Sequence, residues 1–167
     1  MPGSGSPTES AGDYQVRRAG PADHDGVVRE LAAYFAFLGE DLDPEGLDHD
    51  VVDWQGEYDG VAGVMLVVVD PAGSVVGTAA VRRLAPGVAE LKRMWLRPDC
   101  RGRGLAPRLM ERCLDEARAL GGRVLRLDSE RDRLATAVRL YRGYGFTEIA
   151  DYNRDPRADI WMELPLP

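Results

Sequence analysis

The sequence predicts an α/β fold of the α+β type: a mixed, mostly antiparallel central sheet of about six to seven strands flanked by about four helices. Three observations predict it. Apolar, alternating runs separated by Pro/Gly turns fill residues 61–96 and read as an antiparallel meander. An amphipathic stretch at 105–120 and a further strand at 124–128 follow, an order that calls for a parallel, right-handed crossover. One topological switch therefore falls between the strand ending at Leu96 and the strand starting at Val124, and ligands in such sheets favour the crevice beyond the strand ends there.

The elements follow in order. Residues 14–18 alternate and read as a first strand. Pro21-Ala22-Asp23 resembles a helix start with Asp23 as cap, and Val27, Val28, Leu31, Tyr34, Phe35 and Leu38 recur at helical spacing, so they should pack inward until Gly39 closes the helix. Residues 40–60 are acidic and broken by Pro44, Gly46 and Gly56, a loop carrying a short second helix. Strands at 61–69, 74–84 and 89–96 are joined by turns at Pro71-Ala72-Gly73 and Ala85-Pro86-Gly87. The helix at 105–120 presents Leu105, Leu109, Cys113, Leu114, Ala117 and Leu120 on one face before Gly121-Gly122. After the strand at 124–128 come a helix at 134–142 ended by Gly143, and closing strands at 147–149 and 159–164.

The length of 167 residues suits one domain, read over 14–167. The opening MPGSGSPTESAGD, residues 1–13, is small and polar and reads as a disordered lead-in, without the basic and apolar regions of a secretory signal. No apolar stretch reaches the roughly 20 residues of a membrane helix, so a cytoplasmic protein with no membrane partner is expected. A formal charge of −7 disfavours nucleic acid, whose phosphates need a basic footprint. Cys100 and Cys113 are too few for a disulfide framework, and His24 and His49 lack metal-ligand spacing, so no metal is expected.

The segment Arg101-Gly102-Arg103-Gly104-Leu105-Ala106 lies directly between a strand and an amphipathic helix. Gly102 and Gly104 allow close backbone approach to a ligand, and the first turn of the helix offers unpaired amides and a dipole that favours an anion. Pro107 is tolerated so early in a helix. Arg101, Arg103 and Arg108 add positive charge to an acidic chain. The physical reading is a diphosphate site; the plainer one is a flexible Gly-Arg turn. A Walker A loop is excluded by the missing Gly-Lys-Ser/Thr, and a dinucleotide fingerprint lacks its third glycine.

The string AELKRMWLRPDCRGRGLAPRLMERCLDEA resembles the acetyl-CoA-binding motif of the GNAT superfamily of N-acetyltransferases. That signature is Arg/Gln-x-x-Gly-x-Gly/Ala after a strand, and Arg101, Gly104 and Ala106 match it in register. Downstream, LRLDSERDRLATAVRLYRGYGFTEI resembles the family's next strand, helix and terminal Gly-Phe, here Gly145-Phe146. The resemblance spans residues 14–164 and implies a GNAT-like sheet with a parallel, splayed strand pair at the cofactor site. It further implies acetyl-CoA as cosubstrate, with Arg101, Gly102, Arg103, Gly104, Leu105 and Ala106 around the pyrophosphate and Met94, Trp95 and Leu96 along the pantetheine arm. Without the resemblance, those last three are simply an apolar strand end. A departure is Leu134, where many relatives carry a cofactor-contacting asparagine; Ser129 or Arg133 could replace that contact.

Acyl transfer to an amine needs a base for the amine and an acid for the leaving thiolate. Tyr141 sits in the pattern Ala137-x-x-x-Tyr141-x-x-x-Gly145-Phe146, whose tyrosine is the family's usual general acid. Its alternative is an aromatic packed on the sheet. Tyr144 points off that face and reads as structural. Glu90 is the candidate base: alternation puts it on one face with Lys92 and Met94, and a glutamate opening this strand deprotonates the amine in some relatives. It could equally be a paired strand residue.

Residues 40–60 hold Asp41, Asp43, Glu45, Asp48, Asp50, Asp53, Glu57 and Asp59 and no lysine or arginine. A cationic acceptor (a small amine, a polyamine or a protein N-terminus) would suit that field, although a solvated loop explains it as well. Trp54 and Tyr58, and less readily Tyr34 and Phe35, could line an acceptor pocket. The function expected is N-acetyl transfer from acetyl-CoA to a small-molecule or protein amine; the alternatives are a non-catalytic acyl-CoA-binding module and a nucleotide-binding regulatory domain. The closing strands offer an edge through which a homodimer could pair, as in many relatives.

Overall fold

The apolar run of β2 (Gly63–Val69) is buried on both faces, as a strand enclosed between two helical layers must be. Its even and odd positions serve different cores. Val64, Leu66 and Val68 pack with Leu105, Leu109 and Cys113, while Met65, Val67 and Val69 pack with Val27, Leu31 and Trp54. The structure is a computed structural model that describes residues 11–167. The lead-in expected over residues 1–13 thus lies outside the described residues except for Ala11–Asp13, which form a single 3-10 turn.

Around β2 the sheet grows in both directions. β1 (Gln15–Arg18), β2, β3 (Val75–Ala85) and β4 (Val88–Leu96) pair antiparallel in sequence order. β5 (Val124–Ser129) joins β4 in parallel, β7 (Ile160–Pro165) follows, and β6 (Thr147–Ile149) forms the edge. This is the expected mixed, mostly antiparallel sheet, with seven strands among the described residues.

One helical layer holds α1 (His24–Leu38) and the one-turn helices α2 (His49–Val52) and α3 (Trp54–Glu57). The other holds α4 (Leu105–Ala119) and α5 (Ala135–Gly143). Every residue of the expected α4 stripe is buried. Two details of α1 differ from expectation. Val28 is 46% exposed, because the buried stripe is narrower and runs through Val27, Leu31, Phe35 and Leu38. Asp23 makes no cap bond to α1; its carboxylate accepts from the Gly20 amide and the Arg17 guanidinium instead. Gly39 ends the helix in the left-handed region, φ 64°, as a glycine there can. Among the described residues no helix is long and apolar enough to cross a membrane.

Two irregularities position the site. β4 and β5 pair only at Val88↔Val124, Ala89↔Leu125 and Glu90↔Arg126, and then splay apart. In addition, β3 advances from Thr78 to Ala80 while β4 recedes from Trp95 to Lys92, so β4 carries a bulge. Arg93 occupies it with φ 58°, and its carbonyl accepts the Thr78 hydroxyl at 2.9 Å. The bulge corrects the expectation that Glu90, Lys92 and Met94 share a face. Met94 instead joins the core beneath α4 and α5, and Trp95 turns to stack on Tyr34 of α1, ring centroids 5.4 Å apart.

Candidate active site

Strand β4 ends at Leu96 and one 3-10 turn (Pro98–Cys100) leads into the Arg101–Ala106 segment. Gly102 and Gly104 adopt φ 76° and 77°, which L side chains rarely do. A Cβ at either would meet nothing within 4 Å, so it is backbone shape that demands glycine here. Gly104 begins α4 with no side-chain cap bond, leaving the first turn's amides and the positive end of the helix dipole facing the crevice. The Arg101 side chain folds back, donating from Nε to the Leu96 carbonyl at 3.0 Å and lying over the rings of Trp95 and Phe37. Cys100 is buried, and burial raises its thiol pKa, consistent with a packing residue.

The splay between β4 and β5 opens into a cavity of about 610 Å³. Met94, Trp95, Leu96, Arg101, Gly102, Gly104, Leu105 and Ala106 line it, so the sequence-predicted cofactor residues converge there except Arg103, whose guanidinium lies over the Tyr14 ring. The opposite wall is the β5–α5 loop and α5, from Asp132 to Leu140. Leu134 contributes an apolar surface to it, while Arg133 reaches across to the Leu38 carbonyl at the end of α1. A slot with an uncapped helix end at one mouth and an unpaired strand edge along its length can hold a long, flexible, anionic-headed molecule.

This slot narrows into a throat of about 80 Å³, with which it shares Tyr34, Met94, Leu134 and Ala137. Tyr141 lines the throat. Its ring packs on Phe146 and its hydroxyl points to the Met94 sulfur at 3.8 Å. Burial, reinforced by Tyr34, Cys113 and Asp128, pushes the phenol pKa well above the usual tyrosine value, so Tyr141 stays protonated. Tyr34 is likewise raised by burial, to about 12. Asp128 and Ser129, at the end of β5, face the same space.

Beyond the throat lies a wider vestibule of about 420 Å³, which shares Lys92 and Asp155 with it and adds Asp50, His49, Glu57, Arg82 and Asn153. Glu90 stands off this path. It is 1% exposed and lines none of the three cavities. Its Oε1 takes Arg82 at 2.8 Å and its Oε2 takes the Tyr152 hydroxyl at 2.7 Å.

The acidic loop is partly neutralised from within. Arg93 grips Asp50 through Nη2 and Nε at 2.7 and 3.0 Å and reaches Asp48 at 3.1 Å; Arg157 takes both Asp48 oxygens at 3.0 Å. Burial alone would raise the pKa of both carboxylates, but the arginines more than reverse it and hold them low. Aromatic roles are exchanged as well. Trp54 and Tyr58 are buried in the α1-side core, and Tyr34 and Phe35 line the throat. Sequence reasoning missed Lys92, Asp128, Asn153 and Arg157. Asp128 had a signal, an acid at the carboxyl end of a strand at the switch; the loop carrying Asn153 and Arg157 had none.

The acetyltransferase (GNAT) family model matches residues 28–146. Over 148 residues the chain is 32% identical to an uncharacterized N-acetyltransferase of Schizosaccharomyces pombe, covering 87% of this chain and 90% of that one. It is 35% identical over 148 residues to an IAA acetyltransferase of Azospirillum brasilense, covering 85% and 92%. Among solved structures, a proposed acetyltransferase of Salmonella typhimurium with its cofactor acetyl-CoA superposes with a TM-score of 0.70 at 23% identity, covering 92% of this chain and 94% of that one.

Proposed function

The chain belongs to the acetyltransferase (GNAT) family and is an acyltransferase, and on that premise we propose that it moves an acetyl group from acetyl-CoA directly to an amine, through a tetrahedral intermediate. The observation that carries this reading is the continuous run of cavities, in which an anion-suited slot meets an open vestibule at a throat lined by Tyr141.

In this reading the amides of Arg101–Ala106 hold the pyrophosphate, and the strand edge at Met94, Trp95 and Leu96 pairs with the pantetheine arm. Acetyl-CoA, when bound, supplies the activated acyl carbon and a thiolate leaving group. Tyr141 gives that sulfur its proton; a buried, protonated phenol beside an existing sulfur acceptor, Met94, suits the task. Exposed strand amides at the splay support the developing oxyanion. Two carboxylates compete for the amine's proton: Glu90, from behind Arg82 and Tyr152, and Asp128, directly at the throat.

Acidic side chains outnumber basic ones along the vestibule, which supports a cationic amine of a small molecule or protein. The name of the Azospirillum relative refers to IAA for that protein, and the amine reading here rests on the cleft. β6, at the sheet edge, is where a homodimer would pair. The test is free-thiol release from acetyl-CoA against a panel of amines, in wild type and Tyr141→Phe. Saturable, amine-dependent release is expected, with kcat lowered about a hundred- to ten-thousand-fold in the variant and the KM for acetyl-CoA unchanged. Tight acetyl-CoA binding without turnover on any amine would point instead to a binding module.

A further inference from the structure

We propose that Asp128, rather than Glu90, takes the proton from the acceptor amine, and that Asn153 and Trp161 hold its carboxylate in position for this. The inference rests on the acetyl-transfer reading above. It starts from the splay: the last β4–β5 pair is Glu90↔Arg126, so Asp128 lies two residues further on, where β5 no longer has β4 beside it. There it lines the throat together with Tyr141.

The hydrogen bonds then distinguish its two oxygens. Trp161, directly across the β5–β7 ladder from Asp128, donates its indole N–H to Asn153 Oδ1 at 2.9 Å. An indole nitrogen can only donate, so this bond fixes which end of the Asn153 amide faces it. The amide NH₂ is thereby turned toward Asp128 and donates to Oδ2. Among the described residues Oδ1 has no hydrogen bond and Asp128 has no ion pair, in contrast to Glu90, whose two oxygens are both engaged. A proton acceptor needs an unoccupied lone pair that faces the substrate, and at the throat Asp128 Oδ1 offers one.

The charge balance follows. Asp128 Oδ1 receives one proton from the ammonium, and the freed nitrogen pair forms the C–N bond. Breaking of the C–S bond returns its electron pair to sulfur, which takes the Tyr141 hydroxyl proton. The second proton lost by nitrogen restores Tyr141 through solvent. The proton on Asp128 leaves to water, accounting for the single proton released per turnover. Charged and titratable neighbours face Asp128 from every side: Glu90 and Lys92 from β4, Tyr34 from α1, Tyr141 from α5, and Tyr152 and Asp155 from the β6–β7 loop. Burial outweighs the Asn153 bond and Lys92 and leaves the carboxyl pKa above its ordinary value.

The test measures kcat against pH at saturating amine and acetyl-CoA, using the best amine of the panel, with acetyl-CoA affinity by calorimetry as the check on folding. A base must be deprotonated to act, so the wild-type rate should fall on the acid side. Asp128→Asn should lower kcat about a hundred- to ten-thousand-fold, abolish that acid limb and leave acetyl-CoA affinity intact. Asp128→Glu should restore part of the rate and the limb, and Glu90→Gln should retain the limb. Asn153→Ala should move the limb to higher pH, because it removes a bond that favours the charged carboxylate. An unchanged limb in Asp128→Asn, or its loss in Glu90→Gln, would overturn the assignment while leaving acetyl transfer standing. Absence of wild-type transfer to every amine would overturn both.

Discussion

Gly102 and Gly104 shape the donor slot through backbone conformation and an uncapped helix end, whereas Arg93 and Arg157 shape the acceptor wall through side-chain charge. The anion-suited wall of the donor half is contiguous in the chain: strand, turn and helix run from Val88 to Ala119. The acceptor half joins segments 109 residues apart, as in the pair of Asp48 with Arg157. Backbone devices of the first kind tolerate many side chains around them, while charge networks of the second kind fail when one member is removed.

The largest effect should come from the acceptor wall. Arg93→Ala would leave buried Asp50 without an ion-pair partner and Asp48 with Arg157 alone, and should cost about 3–5 kcal/mol in urea denaturation. If the halves are as separate as their construction suggests, the variant that remains folded in the cold should still bind acetyl-CoA with wild-type affinity. Equal loss of both would break the comparison. A smaller effect is expected at the donor turn. Gly104→Ala at φ 77° costs about 1–2 kcal/mol of backbone strain, which the turn can shed in the free protein by leaving the shape that binds, so acetyl-CoA affinity should drop about tenfold while the amine KM holds.

The smallest effect is that of mild acid. Asp48 and Asp50 have folded pKa values below their unfolded ones, so their contribution is fully present above the unfolded value of about 3.9 and is lost as pH falls through the folded values. Their share of stability should therefore be flat from about pH 7 to 5 and decline only below about pH 4. A decline of the wild type that is absent in an Asp48→Asn, Asp50→Asn double variant would assign it to this network.

The same contrast explains what could be read from the chain. Strand order, the parallel switch and the α4 stripe are local signals, because alternation, helical spacing and Gly/Pro turns are written within each segment. The glycine conformations of the Arg101–Ala106 turn and the place of Tyr141 on α5 are local in the same way. The acidic loop misled because a run of carboxylates in sequence does not reveal that Asp48 and Asp50 are claimed by arginines from distant segments. Val28 and Trp54 misled for a related reason: a helix or loop residue's side is decided by what packs against it. Asp128 could have been found by applying to β5 the alternation that was applied to β4.

The bulge at Arg93 has a consequence for how β4 can vary. The strand consists of two halves in opposite phase, joined at a residue that also anchors Asp48 and Asp50. Excising that one residue would close the bulge without a slip: Met94 would fall opposite Ala79, whose core it already shares, and Trp95 would stay opposite Thr78, while the guanidinium that neutralises the acidic loop would vanish. The bulge therefore separates two properties of one strand: the register of the donor slot survives the loss of Arg93, and the charge of the acceptor wall does not.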